Sequence, residues 1–136
     1  MKKVMYIIQV AFLIITMIAC TQIIKGKTEP TVVMDTPNVE LSKKAQVVIR
    51  GTGFKPGQEV VLVFTAIDGV KSDIDYALKP KPIADQTGAW TTTWSCGRYI
   101  GKKLIKEGEY TITATDKEYN FITDTTVRFY AGKKSK

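Results

Sequence analysis

The sequence predicts an all-β fold, a sandwich of antiparallel strands, and three observations lead there. Two apolar runs, residues 45–50 and 59–67, are divided by Gly51-Thr52-Gly53-Phe54-Lys55-Pro56-Gly57. Three glycines and a proline in seven positions make a corner between two strands, because proline fixes φ and glycine admits conformations closed to other residues. A second turn signal, Asp85-Gln86-Thr87-Gly88, precedes Ala89-Trp90 and a strand of alternating tryptophan and threonine. The third observation is the late pair of alternating segments, residues 108–116 and 121–130, which carry the period of two expected of half-buried strands.

Taken in order, residues 31–36 lie between Pro30 and Pro37 and predict an edge strand, since proline has no N–H to give a central ladder. Residues 38–42 continue it after a kink. Ala45, Val47 and Ile49 should face the core. In the next strand Val60, Leu62, Phe64 and Ala66 form one face, and Val61, Val63, Thr65 and Ile67 the other. Apolar residues on both faces imply a central strand or a covered outer face, and Val61, Val63 and Ile67 form a candidate docking face for a partner. Phe54 is an apolar plug beneath the corner. Residues 68–75 are turn-rich. Asp68, Asp73 and Asp75 are spaced unlike the calcium loop of an EF-hand, so a solvated loop is the better account. Residues 76–84, with Pro80 and Pro82, predict an irregular edge strand. Trp90, Thr92, Trp94 and Cys96 share a face. Two tryptophans two apart could stack on a sugar, but the Thr/Ser character of the opposite face favours a core role.

Residues 97–107 are expected to form a loop bearing Arg98, Tyr99, Lys102, Lys103 and Lys106. This is the most concentrated basic surface and the candidate contact for an anionic partner. Residues 108–116 should turn Tyr110, Ile112 and Ala114 inward, and residues 121–130 Val127 and Phe129. The tail, residues 133–136, is basic.

The first thirty residues read as an address. Lys2 and Lys3 precede an uncharged apolar stretch, residues 4–24, and Ala19 precedes Cys20. This is the layout of a secretory signal forming a hydrophobic helix. Met17-Ile18-Ala19-Cys20 resembles the lipoprotein box of bacteria, which implies cleavage after Ala19 and a lipid on Cys20; Met17 stands where leucine is usual. The alternative is an uncleaved helix, since 21 uncharged residues between Lys3 and Lys25 match the roughly 20 needed to cross a bilayer. Residues 1–20 are thus a signal or anchor, 21–30 a tether, and 31–132 the sandwich. Either route places the domain outside the inner membrane of a bacterial envelope, facing the periplasm or cell surface.

Beyond Cys20 there are eighteen basic and thirteen acidic residues, a net +5. No helical basic region or zinc spacing accompanies the charge, which points to envelope polymers or phospholipid headgroups and away from nucleic acid. The chain contains no histidine, and so lacks the commonest general base and metal ligand. With Cys20 lipidated or in a membrane helix, Cys96 has no partner and is expected to be a small buried hydrophobe. There is no Gly-x-Ser-x-Gly elbow and no phosphate loop. No enzyme, cofactor or metal is expected.

The corner at residues 51–60, the turn at 85–90 and the strand Gly108-Glu109-Tyr110-Thr111-Ile112-Thr113 together resemble the immunoglobulin-like domains of bacterial cell-surface proteins. That resemblance implies an immunoglobulin-like sandwich acting as a non-enzymatic, membrane-tethered binding or scaffold module. The alternative is an accessory subunit of a membrane complex, with residues 4–24 as its helix.

Overall fold

A computed structural model describes residues 28–134. The hydrophobic helix, lipid-bearing Cys20 and most of the tether expected from the sequence lie outside the described residues. Among the described residues, no helix is long and apolar enough to cross a membrane.

The fold is all-β, in two sheets. Strands β1 (Thr31–Met34), β3 (Val47–Thr52), β7 (Trp90–Trp94) and β6 (Leu78–Lys79) form one, in that spatial order. Strands β2 (Asn38–Glu40), β9 (Phe121–Tyr130), β8 (Gly108–Thr115), β4 (Val61–Thr65) and β5 (Lys71–Asp73) form the other. One pairing departs from the antiparallel expectation: β2 runs parallel to β9. The cause lies in the kink before it. Pro37 ends the β1 ladder, its carbonyl accepts the Arg128 N–H at 2.8 Å, and the chain continues along the free edge of the opposite sheet.

The alternation read from the sequence places the core. Val47, Ile49, Val60, Leu62, Phe64, Tyr110, Ile112, Ala114, Val127 and Phe129 are all buried between the sheets. Trp94 is wholly buried and Trp90 nearly so, so both tryptophans fill the interior and neither offers a stacking platform. Thr92 lies buried between them, its hydroxyl donating to the Pro80 carbonyl at 2.6 Å. Residues 76–84 are more irregular than one edge strand: a 3-10 turn, Asp75–Ala77, precedes the two-residue β6.

The two turn motifs, which begin 34 residues apart at Gly51 and Asp85, are built against each other. Phe54 donates its N–H to the Gly88 carbonyl at 3.1 Å, Gly57 donates to Ala84 at 2.8 Å, and Ala84 to Gln58 at 2.9 Å. The buried Phe54 ring meets Trp90 edge-on, centroids 5.5 Å apart, a favoured aromatic geometry. Gly88 has φ +80°, and a Cβ there would overlap the Phe54 carbonyl oxygen. The corner and the hairpin thus form one lock at the end of the sandwich where the chain enters.

Asp85 organises the second turn. Its Oδ1 accepts the Thr87 N–H at 2.8 Å, the Thr87 hydroxyl at 2.6 Å and the Ala89 N–H at 3.1 Å. These bonds favour the ionised form, the Thr87 side chain foremost, and hold the carboxyl below the usual carboxylate range. A carboxyl with a lowered folded pKa stabilises the fold above its unfolded pKa, about 3.9, and loses that contribution as pH falls through the folded value. The wild type should therefore lose stability below about pH 4, and the Asp85→Asn variant should lose less over the same interval. Urea midpoints measured from pH 7 downward check this; parallel curves for the two proteins would rule it out.

Candidate anionic-partner interface

The segment joining β7 to β8 is not a plain loop. It opens with a one-turn helix, α1 (Gly97–Gly101). Gly97 donates its N–H to the Ala45 carbonyl at 3.0 Å, and a Cβ at Gly97 would overlap the Lys43 carbonyl oxygen. Only glycine lets the β2–β3 connection come so close. Cys96 is fully buried just before the helix. Desolvation pushes its thiol up to about 11, the environment of an inert structural cysteine.

The helix ends in a Schellman motif. Leu104 donates its N–H to Tyr99 at 2.9 Å and Lys103 donates to Ile100 at 3.0 Å, satisfying carbonyls that a helix end leaves open. Lys103 takes the left-handed position, φ 60°, where glycine is usual and a side chain costs roughly 1 kcal/mol. The Lys103→Gly variant should accordingly be more stable, by about 0.5–1 kcal/mol, in a urea titration. Unchanged or lower stability would mean that the lysine side chain itself holds the turn. Beyond it, Ile105 is buried, and the Tyr110 hydroxyl accepts the Lys106 N–H at 2.8 Å while donating to the Lys106 carbonyl at 3.1 Å. Backbone bonds and two apolar pegs therefore fix the basic residues in place.

Of the five residues expected to meet an anionic partner, Arg98, Lys102, Lys103 and Lys106 are exposed, and none is ion-paired among the described residues. Tyr99 is the exception and corrects the expectation. It is only 6% exposed, its ring lying 5.8 Å from Trp94 and 6.4 Å from Phe64. One helical turn puts residue 99 on the inner side while 98 and 102 face out. Burial, and after it the adjoining Tyr76 side chain, raise the Tyr99 phenol above its ordinary pKa, the two rings lying 6.0 Å apart.

Val61, Val63 and Ile67 do not form a single docking face. Val61 and Val63 point away from the core yet are each 8% exposed. Tyr119, in the β8–β9 turn, donates its hydroxyl to Asp73 Oδ2 on β5 at 2.9 Å. Since β4 lies between β8 and β5, this contact spans the outer side of β4, in a recess that Val63 shares. Ile67 is 66% exposed, but it sits past the end of β4 and lines a different recess, with Phe64, Tyr99, Leu104 and Tyr110. Asp68 accepts the Val70 N–H at 3.1 Å and Asp73 the Asp75 N–H at 2.8 Å, which is turn chemistry.

No family model matches this sequence, and no curated protein matches it. Among solved structures, the tetra-tandem repeat in the extending region of a large adhesion protein is similar. The TM-score is 0.50 at 18% identity, over 76% of this chain and 24% of that one. The likeness is one of fold. This chain spans about a quarter of that structure's length.

Proposed function

We propose that this chain is a non-enzymatic binding or scaffold module with an immunoglobulin-like domain, held at the membrane of a bacterial envelope by its N-terminal residues. The single observation that carries the reading is the fixed basic segment. Four cations, none ion-paired among the described residues, stand on a segment that the fold anchors through Gly97, Ile105 and Tyr110, while the large aromatic side chains of the core are spent on internal packing.

Two features support the immunoglobulin-like assignment. The sheet orders, with β1 split from β2 and the latter along the last strand, follow the general plan of that sandwich. Tyr110, near the start of the next-to-last strand, bonds back to the backbone four residues upstream, as a tyrosine corner does. The resemblance to an adhesion-protein repeat agrees with a module that binds and spaces.

Mass spectrometry of the protein from membranes tests the tether. A lipidated N-terminal Cys20 is the expected result. An intact Met1 moves the proposal to an accessory subunit anchored by residues 4–24, and a chain found only in the soluble fraction, with neither, contradicts both. Retention on anionic wall polymer or lipid, lost when Arg98, Lys102, Lys103 and Lys106 become glutamine, tests the contact surface.

A further inference from the structure

The basic segment does not stand alone. The chain enters at one end of the sandwich: Thr31 pairs with Thr52, Gly51 with Trp90, and Thr28–Pro30 line a recess with Phe121 and Ile122. The opposite end holds the β4–β5 turn, the α1 segment and the start of β8, for Thr65 pairs with both Lys71 and Thr111. Three apolar side chains emerge there from two separate loops. Ile67 is 66% exposed, Val70 57% and Leu104 57%. With Lys103 and Lys106 they line one open recess whose floor is Phe64, Tyr99 and Tyr110, and whose volume is about 490 Å³.

We propose that this end of the domain docks on an anionic lipid bilayer, Ile67, Val70 and Leu104 entering the interface while Lys102, Lys103 and Lys106 meet headgroup phosphates. The proposal rests on the binding-module reading and names the partner of the same surface. A soluble anionic polymer would use the lysines alone. It would leave the convergence of three exposed aliphatic side chains on the same recess without a role. An interfacial membrane contact uses both, since apolar groups partition into the acyl boundary and cations gather at the headgroups. Asp68 is the acidic residue on the recess wall, engaged by the Val70 N–H. The geometry of the chain allows the contact in the tethered state. Thr28 lies eight residues beyond Cys20, a reach of at most about 29 Å. Strand β9, ten residues long, is roughly 34 Å, so the far end meets the bilayer that holds the anchor when the long axis of the domain tilts toward the membrane plane.

Hydrogen exchange of the full-length protein in nanodiscs tests this. One set is made of phosphatidylcholine alone and another of phosphatidylcholine with phosphatidylglycerol. Amides of residues 67–70 and 102–106 should exchange about tenfold more slowly, or slower still, in the anionic discs. High salt should weaken the protection, and it should vanish when Ile67, Val70 and Leu104 are together replaced by serine. These three are exposed, and unchanged exchange in β3 and β8 confirms that the triple variant is folded. Protection by soluble polyglutamate that survives the serine substitutions, with no difference between discs, overturns the lipid proposal and leaves the binding-module reading standing. Protection by neither removes this surface from both.

Discussion

Replacing Trp94 with alanine lowers the unfolding free energy by about 4 kcal/mol. The side chain is wholly buried at the centre of the sandwich. It meets Phe64 at 5.5 Å, Tyr99 at 5.8 Å and Phe129 at 6.3 Å between ring centroids, the last two edge-on. Its removal takes away the transfer energy of the ring and leaves a cavity that flanking strands cannot close. The indole N–H has no hydrogen-bond partner among the described residues, so the loss is one of packing. That separates two variants. Trp94→Phe keeps most of the buried ring and discards an unpartnered donor, and should lose much less than Trp94→Ala. Urea unfolding followed by far-ultraviolet circular dichroism measures both; a loss under about 1 kcal/mol for alanine would mean the ring is not in the core.

Gly88→Ala destabilises by about 3 kcal/mol through a different cause. At φ +80° an added Cβ is strained in itself, and it also overlaps the Phe54 carbonyl oxygen. The turn must move, and the bond from Phe54 N–H to Gly88 carbonyl lengthens with it. Phe54 is then drawn from its edge-on contact with Trp90. Phe54→Ala alone should cost about 3–4 kcal/mol. The double variant should lose less than the sum, because each change already releases part of what the other holds. Additive losses would show that the corner and the hairpin turn act separately.

What the sequence disclosed divides along a physical line. Local alternation fixes which side of a strand faces in, and so Val47, Ile49, Leu62, Phe64, Ile112 and Phe129 were legible, as was Phe54 between its glycines. The lock between Phe54 and Gly88 was not, since a turn signal gives its own shape and not its distant partner. The β2 crossover was half visible: Pro37 marked a break, but nothing local says that the chain changes sheets there. The basic segment shows the limit most clearly. Five residues are too few for a helical period, and the Schellman exit carries lysine where glycine would have announced it. Tyr99 and Ile105 amid the cations were the available sign that this stretch is pegged to the core. Ile67 was assigned by alternation past the last ladder residue, Thr65, where the strand ends and the period no longer applies. Tyr119 left no signal at all, because its reach to Asp73 exists only once β8, β4 and β5 lie side by side.

Site-directed photo-cross-linking in intact membranes tests the central claim most directly: the domain makes its contacts through the basic end and not through its sheet faces. A photoreactive side chain would replace Leu104, Phe121 or Val33 in turn, all more than half exposed and lying on different parts of the surface. The account predicts adducts from position 104 that disappear when Lys102, Lys103 and Lys106 are changed to glutamine. Adducts formed instead from 121 or 33, indifferent to those lysines, would contradict it.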